Sequence, residues 1–129
     1  MTLIAFGINH KTAPVELREK VAFSPDAMVE ALKSLAHLTG ADESVIVSTC
    51  NRTEIYAQAE NLTADALTTW LAEFHQAKAD ELGLNSYIYH QEDAIKHIMR
   101  VACGLDSLIL GEPLKLDLML YQWLMPRYN

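Results

Sequence analysis

Residues 44–59 hold two β-prone segments separated by only a short polar loop, and this pair constrains the fold more than any other feature. Ser44 to Thr49 reads as a strand through Val45-Ile46-Val47, and Thr53 to Ala59 alternates as the next strand. Strands joined so closely pair antiparallel. Leu3 to Asn9 alternates as an earlier strand, and Ser86 to His90 as a last one. After a loop at His10–Pro14, Val15 to Phe23 suggests a short helix. Ser24-Pro25-Asp26 then opens a longer one, with serine as N-cap, proline at the first helical position and an acid in the first turn. Met28, Val29, Leu32, Leu35 and Ala36 carry its apolar spacing, and Gly40 supplies the stop. Thr63 caps a helix whose Leu67, Trp70, Leu71 and Phe74 form a core stripe. Leu82-Gly83-Leu84-Asn85 reads as a turn. A long helix is expected from Glu92 to about Leu110, with Ile95, Ile98, Met99, Ala102, Leu105 and Leu108 inward. The order βαββαβ plus a long helix predicts an α+β fold, a ferredoxin-like split βαβ sandwich.

The charge balance narrows the function. A formal net charge of −7 argues against general nucleic-acid binding. The acids concentrate between Glu54 and Asp93, where Lys78 is the only base, while Lys11, Arg18, Lys20, Arg52, Lys96 and Arg100 lie outside that stretch. One side of the domain is thus left able to meet a polyanion. No apolar run reaches the roughly 20 residues of a membrane span. The N-terminus lacks the basic region and cleavage site of a secretory signal. Cys50 and Cys103 are far apart without metal-type spacing, so neither a disulfide framework nor a metal site is implied, and a cytoplasmic location is expected. The glycines form neither a dinucleotide fingerprint nor a phosphate loop.

Chemistry concentrates at Ser48-Thr49-Cys50-Asn51-Arg52-Thr53-Glu54. A residue at the end of a buried strand is both held and reachable, which makes Cys50 a candidate nucleophile. A buried free cysteine is the bland reading, and the polar neighbours weaken it. Cys103 reads as a packing residue, and Trp70 as core. His37, His75 and His90 read as surface or edge residues, and His10 and Lys11 as loop.

Several motifs in order carry a family resemblance. Gly7-Ile8-Asn9-His10-Lys11-Thr12-Ala13-Pro14 is followed by the Cys50 segment. Then come His97-Ile98-Met99-Arg100-Val101-Ala102-Cys103-Gly104-Leu105-Asp106-Ser107 and Gly111-Glu112-Pro113. Over residues 1–113 the chain resembles the N-terminal catalytic domain of glutamyl-tRNA reductase, the enzyme that opens the C5 route to tetrapyrroles. The resemblance implies that Cys50 attacks the glutamyl ester of glutamyl-tRNA(Glu), forming a thioester that NADPH reduces to glutamate-1-semialdehyde. It implies a catalytic role for His97, either proton transfer at the departing ribose oxygen or electrostatic support of the thiolate. It makes Thr49, Asn51, Arg52, Ser107, Glu112 and Pro113 substrate-binding residues, with Arg52 suited to the glutamate carboxylate. It further implies a homodimeric intact enzyme with glutamate-1-semialdehyde aminomutase as a partner. The family's NADPH-binding and dimerisation domains have no counterpart in this sequence, so the chain alone is expected to stop at thioester formation and hydrolysis.

After Pro113 the pattern breaks. Leu114 stands where the family has a substrate-contacting Gln, and Leu118 takes the place of another. Residues 114–129 are dominated by large apolar side chains. Two readings of this tail stand: a foreign or frame-shifted extension on a truncated gene, or an amphipathic helix capping the domain. Two other functional readings are a non-catalytic RNA-binding module, using Tyr56, Tyr87 and Tyr89 for base stacking, and an inactive remnant.

Overall fold

The computed structural model describes residues 1–105. Four strands, β1 (Thr2–Asn9), β2 (Glu43–Thr49), β3 (Arg52–Ala59) and β4 (Tyr87–His90), form one sheet in the order β2-β3-β1-β4, each neighbour antiparallel. The helices are α1 (Val15–Lys20), α2 (Met28–Thr39), α3 (Ala64–His75), α4 (Ala79–Leu84) and α5 (Gln91–Ala102). Between β1 and β2 the chain crosses over β3, and this is the split βαβ arrangement expected from the sequence.

The caps sit where the sequence places them. Ser24 Oγ accepts from Ala27 N at 3.3 Å, opening a 3-10 turn at Pro25–Ala27 that leads into α2. Gly40, at φ 73°, closes α2 in the left-handed region, where lacking a Cβ removes the strain. Thr63 Oγ1 accepts from Ala66 N at 3.1 Å and caps α3.

The period-two alternation of the strands divides the core between two sheet faces. Ile4, Phe6 and Ile8 of β1 join Ile46 and Ile55 under α2 and α3, where Leu32, Leu35, Leu67, Trp70 and Leu71 are buried. Trp70 also donates its indole N–H to Ser34 Oγ at 3.0 Å. On the opposite face Ala5, Val47 and Tyr56 pack against Ala94 and Val101 of α5. Both faces of the sheet are therefore covered.

Three expectations are corrected. Residues 82–84 belong to α4 rather than to a turn, and Leu82 is buried by it. Helix α5 ends at Ala102, and its orientation differs in part: Ala94, His97 and Val101 face the sheet with Ile98 and Ala102 partly buried beside them, while Ile95, Met99 and Leu105 are exposed. Cys103 is exposed rather than packed, because it lies in the turn that ends α5. The rotation of α5 leaves apolar surface in water that its opposite orientation would bury, at roughly 1.5–3 kcal/mol per large side chain. A polar contact, described below, offsets that loss.

His75 is half-buried rather than superficial. Its ring meets the Phe23 ring edge-on at 4.5 Å, and its Nε2 is buried without a hydrogen-bond partner. Burial holds its imidazole below the ordinary value of 6.5. A depressed histidine binds its proton more weakly folded than unfolded. Its contribution is therefore complete above pH 6.5 and is lost as pH falls below it. His75→Phe is expected to flatten the stability profile between about pH 5 and 7, which urea titrations across that range would show.

Gly7 lies in mid-strand, opposite Glu54. A Cβ there would stand 2.6 Å from Thr53 O and 2.7 Å from Glu54 Cγ. Backbone between two central strands cannot yield that space. Gly7→Ala is expected to cost at least about 1–3 kcal/mol, the usual range for overpacking. Gly83→Ala has open space within helix α4 and should stabilise by up to ~1 kcal/mol. Chemical denaturation of the two variants measures both shifts.

Candidate active site

The β2–β3 connection is a two-residue turn. Thr49 pairs with Arg52, leaving Cys50 and Asn51 at its tip. Cys50 is exposed and its thiol is free. Asn51 N donates to Thr49 Oγ1 at 3.2 Å, so the threonine hydroxyl braces the turn from within. From α1, Arg18 Nη1 lies 3.4 Å from both Cys50 O and Asn51 Oδ1. Ser48 Oγ accepts from Phe23 N at 2.8 Å, and Thr53 Oγ1 donates to Val21 O at 3.3 Å. The polar residues flanking Cys50 thus tie the hairpin to the α1–α2 connection.

The β1–α1 loop lies at the same end of the sheet, since Asn9 pairs with Arg52. Asn9 Oδ1 accepts from Lys11 N at 2.9 Å and Thr12 N at 3.2 Å, and Thr12 Oγ1 accepts from Asn9 N at 3.1 Å. An asparagine at a strand end makes this kind of turn because its carboxamide substitutes for a backbone acceptor.

Arg52, Glu54 and Tyr56 alternate along β3 and share the face covered by α5. Glu54 is completely buried, and Arg52 nearly so. Arg52 Nη1 donates to Glu54 Oε2 at 2.8 Å, and His97 Nε2 stands 2.6 Å from the same oxygen. The Tyr87 hydroxyl donates to Oε2, and the Tyr56 hydroxyl to Oε1. His97 is further enclosed by the Tyr89 ring, stacked at 4.7 Å, and the Tyr87 ring at 5.3 Å. These contacts hold α5 in its observed rotation.

Burial alone would raise the Glu54 carboxyl. The hydrogen bond and charge of His97, the Arg52 guanidinium and the Tyr56 hydroxyl outweigh it and bring Glu54 below its ordinary 4.5. Burial, then the neighbouring Glu54 charge, push the Tyr56 phenol well above its usual 10. Tyr56 therefore remains a donor. A depressed carboxyl contributes stability that is complete above pH 4.5 and disappears as pH falls through the folded value.

Thr49, Cys50, Asn51 and Arg52 thus gather at one hairpin, and His97 joins them through Glu54. Ser107, Glu112, Pro113 and the segment 114–129 lie outside the described residues. Sequence reasoning assigned no site role to Glu54 or Arg18, and gave Tyr87 only base stacking in the RNA-module reading. The signal for Glu54 was an acid inside an alternating strand, two positions from Arg52 and two from Tyr56. Arg18 carried no comparable signal.

Among the described residues, no group of three or more His, Cys, Asp or Glu side chains is placed to hold a metal ion. No helix among them is long and apolar enough to cross a membrane. A dinucleotide cradle needs a glycine-rich turn from a strand into a helix. The β1–α1 turn contains no glycine, and the sheet is antiparallel throughout. The described residues do not fit NADPH.

Residues 6–114 match the family described as "Glutamyl-tRNAGlu reductase, N-terminal domain". A glutamyl-tRNA reductase of Pseudomonas putida (strain GB-1) is 53% identical over 113 residues, covering 88% of this chain and 27% of that protein. The Pseudoalteromonas translucida (strain TAC 125) protein of the same name is 58% identical over 113 residues, with the same coverage. The solved glutamyl-tRNA reductase from Methanopyrus kandleri superposes with a TM-score of 0.68 at 31% identity, over 90% of this chain and 26% of that one. The chain spans about a quarter of the length of the curated relatives it matches.

Proposed function

Since the chain belongs to the family of glutamyl-tRNA reductase N-terminal domains, we propose that it carries the acyl-transfer chemistry of such an enzyme, moving glutamate from glutamyl-tRNA(Glu) to Cys50. The observation that carries this reading is the exposed free thiol at the tip of a braced two-residue turn. A thiol is a few per cent thiolate at neutral pH and strongly nucleophilic. An aminoacyl ester is already activated, so attack on it needs less assistance than attack on an amide.

Cys50 Sγ bonds to the ester carbonyl carbon as the carbon–oxygen bond to the terminal ribose breaks. The thiol proton ends on the ribose hydroxyl. His97 serves this transfer as proton carrier, an effect of about 10²–10⁴-fold for a placed acid or base. Arg52 sets a fixed positive charge at the base of the turn. Arg18, which reaches the Cys50 carbonyl and the Asn51 side chain at the turn itself, is the cation placed for the substrate carboxylate, Arg52 being buried on Glu54. Thr49 and Asn51 shape the rim, and Ser107, Glu112 and Pro113 complete the substrate contacts. Reduction of the thioester to glutamate-1-semialdehyde uses NADPH and belongs to the tetrapyrrole pathway of the cytoplasm. Dimerisation and transfer to an aminomutase likewise belong to the longer family enzyme.

Of the three tyrosines the RNA-module reading needs, only Tyr89 is exposed, and its ring stacks on His97. Tyr56 is buried, and the half-buried Tyr87 places its hydroxyl on Glu54.

Incubation of the whole chain with radiolabelled glutamyl-tRNA, acid quenching and peptide mass spectrometry tests the proposal. Label is expected on Cys50 and not on Cys103, which is also exposed. Slow, Cys50-dependent release of free glutamate should accompany it. Equal labelling of both thiols, or none, would overturn the assignment.

A further inference from the structure

We propose that Glu54 is a positioning residue for acyl transfer at Cys50, holding the His97 imidazole in one tautomer and orientation through its carboxylate. This rests on the reading that Cys50 accepts the glutamyl group. It adds to that reading a residue that touches neither the substrate nor the thiol.

Every group facing the carboxylate is a donor. Arg52 and Tyr56 come from β3, Tyr87 from β4 and His97 from α5. Opposite them, Gly7 of β1 presents no side chain, and a Cβ there would collide with the Glu54 methylene. An ionised carboxylate satisfies all four donors, whereas a protonated one would have to turn a donor away. With an anionic acceptor 2.6 Å away, His97 Nε2 must carry a hydrogen. The nitrogen left for proton exchange with substrate is Nδ1. This is how a carboxylate fixes a catalytic histidine in other nucleophilic enzymes: it sets tautomer and direction without taking the proton itself.

A purely structural acid would need only Arg52 and Tyr56 from its own strand. Instead it also draws in a histidine from a helix that exposes Ile95 and Met99 as a consequence. Glu54 lies two residues from the start of β3, about 7 Å of strand, where the Cys50 turn ends. One rigid strand thus connects the anchored histidine to the turn that bears the thiol. During acyl transfer the carbon–sulfur bond forms, the ester carbon–oxygen bond breaks, and His97 relays the thiol proton through Nδ1 to the ribose oxygen.

Two measurements test this. The first is imidazole ¹⁵N NMR of the whole wild-type chain at neutral pH, with the His97 signal assigned by its loss in His97→Gln. Nε2 of His97 is expected to be protonated. An unprotonated Nε2 would overturn the proposal without any variant having to fold. The second compares acylation by glutamyl-tRNA with alkylation by iodoacetamide, which needs the thiolate but no proton delivery to a leaving group. Glu54→Gln should slow acylation by on the order of 10²-fold and leave alkylation within about twofold. Equal slowing of both, or no slowing of acylation, would show a structural role only. If Glu54→Gln does not fold, Tyr87→Phe removes one donor from the same oxygen and is expected to show the same split at smaller amplitude. Absence of any adduct on wild-type Cys50, with Nε2 protonated, would sink the acyl-transfer reading and leave the Glu54–His97 lock standing.

Discussion

Replacing Cys50 with serine is expected to lower acylation by glutamyl-tRNA by on the order of 10³-fold or more. Sulfur and oxygen differ here in ionisation and in nucleophilicity. A serine hydroxyl needs an adjacent base to attack, whereas a thiol supplies a standing fraction of thiolate. At the tip of an exposed turn, the substitution leaves the core untouched. Stability should therefore change by no more than about 0.5 kcal/mol. Cys103→Ser, also at an exposed position, is the matched control and should acylate normally. The measurement is single-turnover transfer of label from tRNA to protein, with thermal melts of the same samples. Retained transfer in Cys50→Ser would remove the thiol from the mechanism, whatever the family resemblance suggests.

Glu54→Ala should be among the most destabilising single substitutions in the chain, costing about 3–5 kcal/mol. The loss comes less from the contacts themselves than from what remains. Arg52, with 1% of its side chain exposed, would keep its charge without its ion-pair partner, and the buried Tyr56 hydroxyl would lose its acceptor. Stability of a domain this size is typically about 5–15 kcal/mol, so the variant would be marginal. Replacing both members, as in Arg52→Met with Glu54→Leu, should recover part of the loss, because no uncompensated charge then stays buried. Urea denaturation of the two singles and the double gives the coupling. A Glu54→Ala cost below about 1 kcal/mol, the scale of an exposed pair, would mean that water reaches the site. The pH dependence supplies an independent check. Wild-type stability should fall as pH drops below 4.5, and Glu54→Gln should lose that component of the slope.

The strands, their order and the capped starts of α2 and α3 were legible in the sequence because each depends on neighbours a few residues away. Alternation has period two, caps use local hydroxyls, and a short polar gap between two strands favours a hairpin. The Cys50 turn was legible for the same reason. Helix α5 was not. Its largest apolar residues suggested an inward face of Ile95, Ile98 and Met99; Ile98 does pack on the sheet-side cluster, yet the helix turns Ala94, His97 and Val101 to the sheet and leaves Ile95 and Met99 exposed. Hydrophobicity alone ranks that orientation lower. A buried carboxylate left without its partners would cost more than the exposed isoleucine and methionine do. Arg52 shows the same limit. As a loop residue it would be free for substrate, but as the first residue of β3 it is drawn beneath α5 onto Glu54.

By itself the amino-acid sequence determined the βαββαβ order and the family, and it marked a thiol at the end of a strand. These follow from short-range periodicity and from contiguous motifs. Only the tertiary structure decided that Glu54 gathers Arg52, Tyr56, Tyr87 and His97 around one carboxylate. Those residues lie on three elements, up to 43 positions from Glu54. Whether such groups meet depends on sheet register and helix rotation, which are settled by the burial and hydrogen-bond energy of the whole fold.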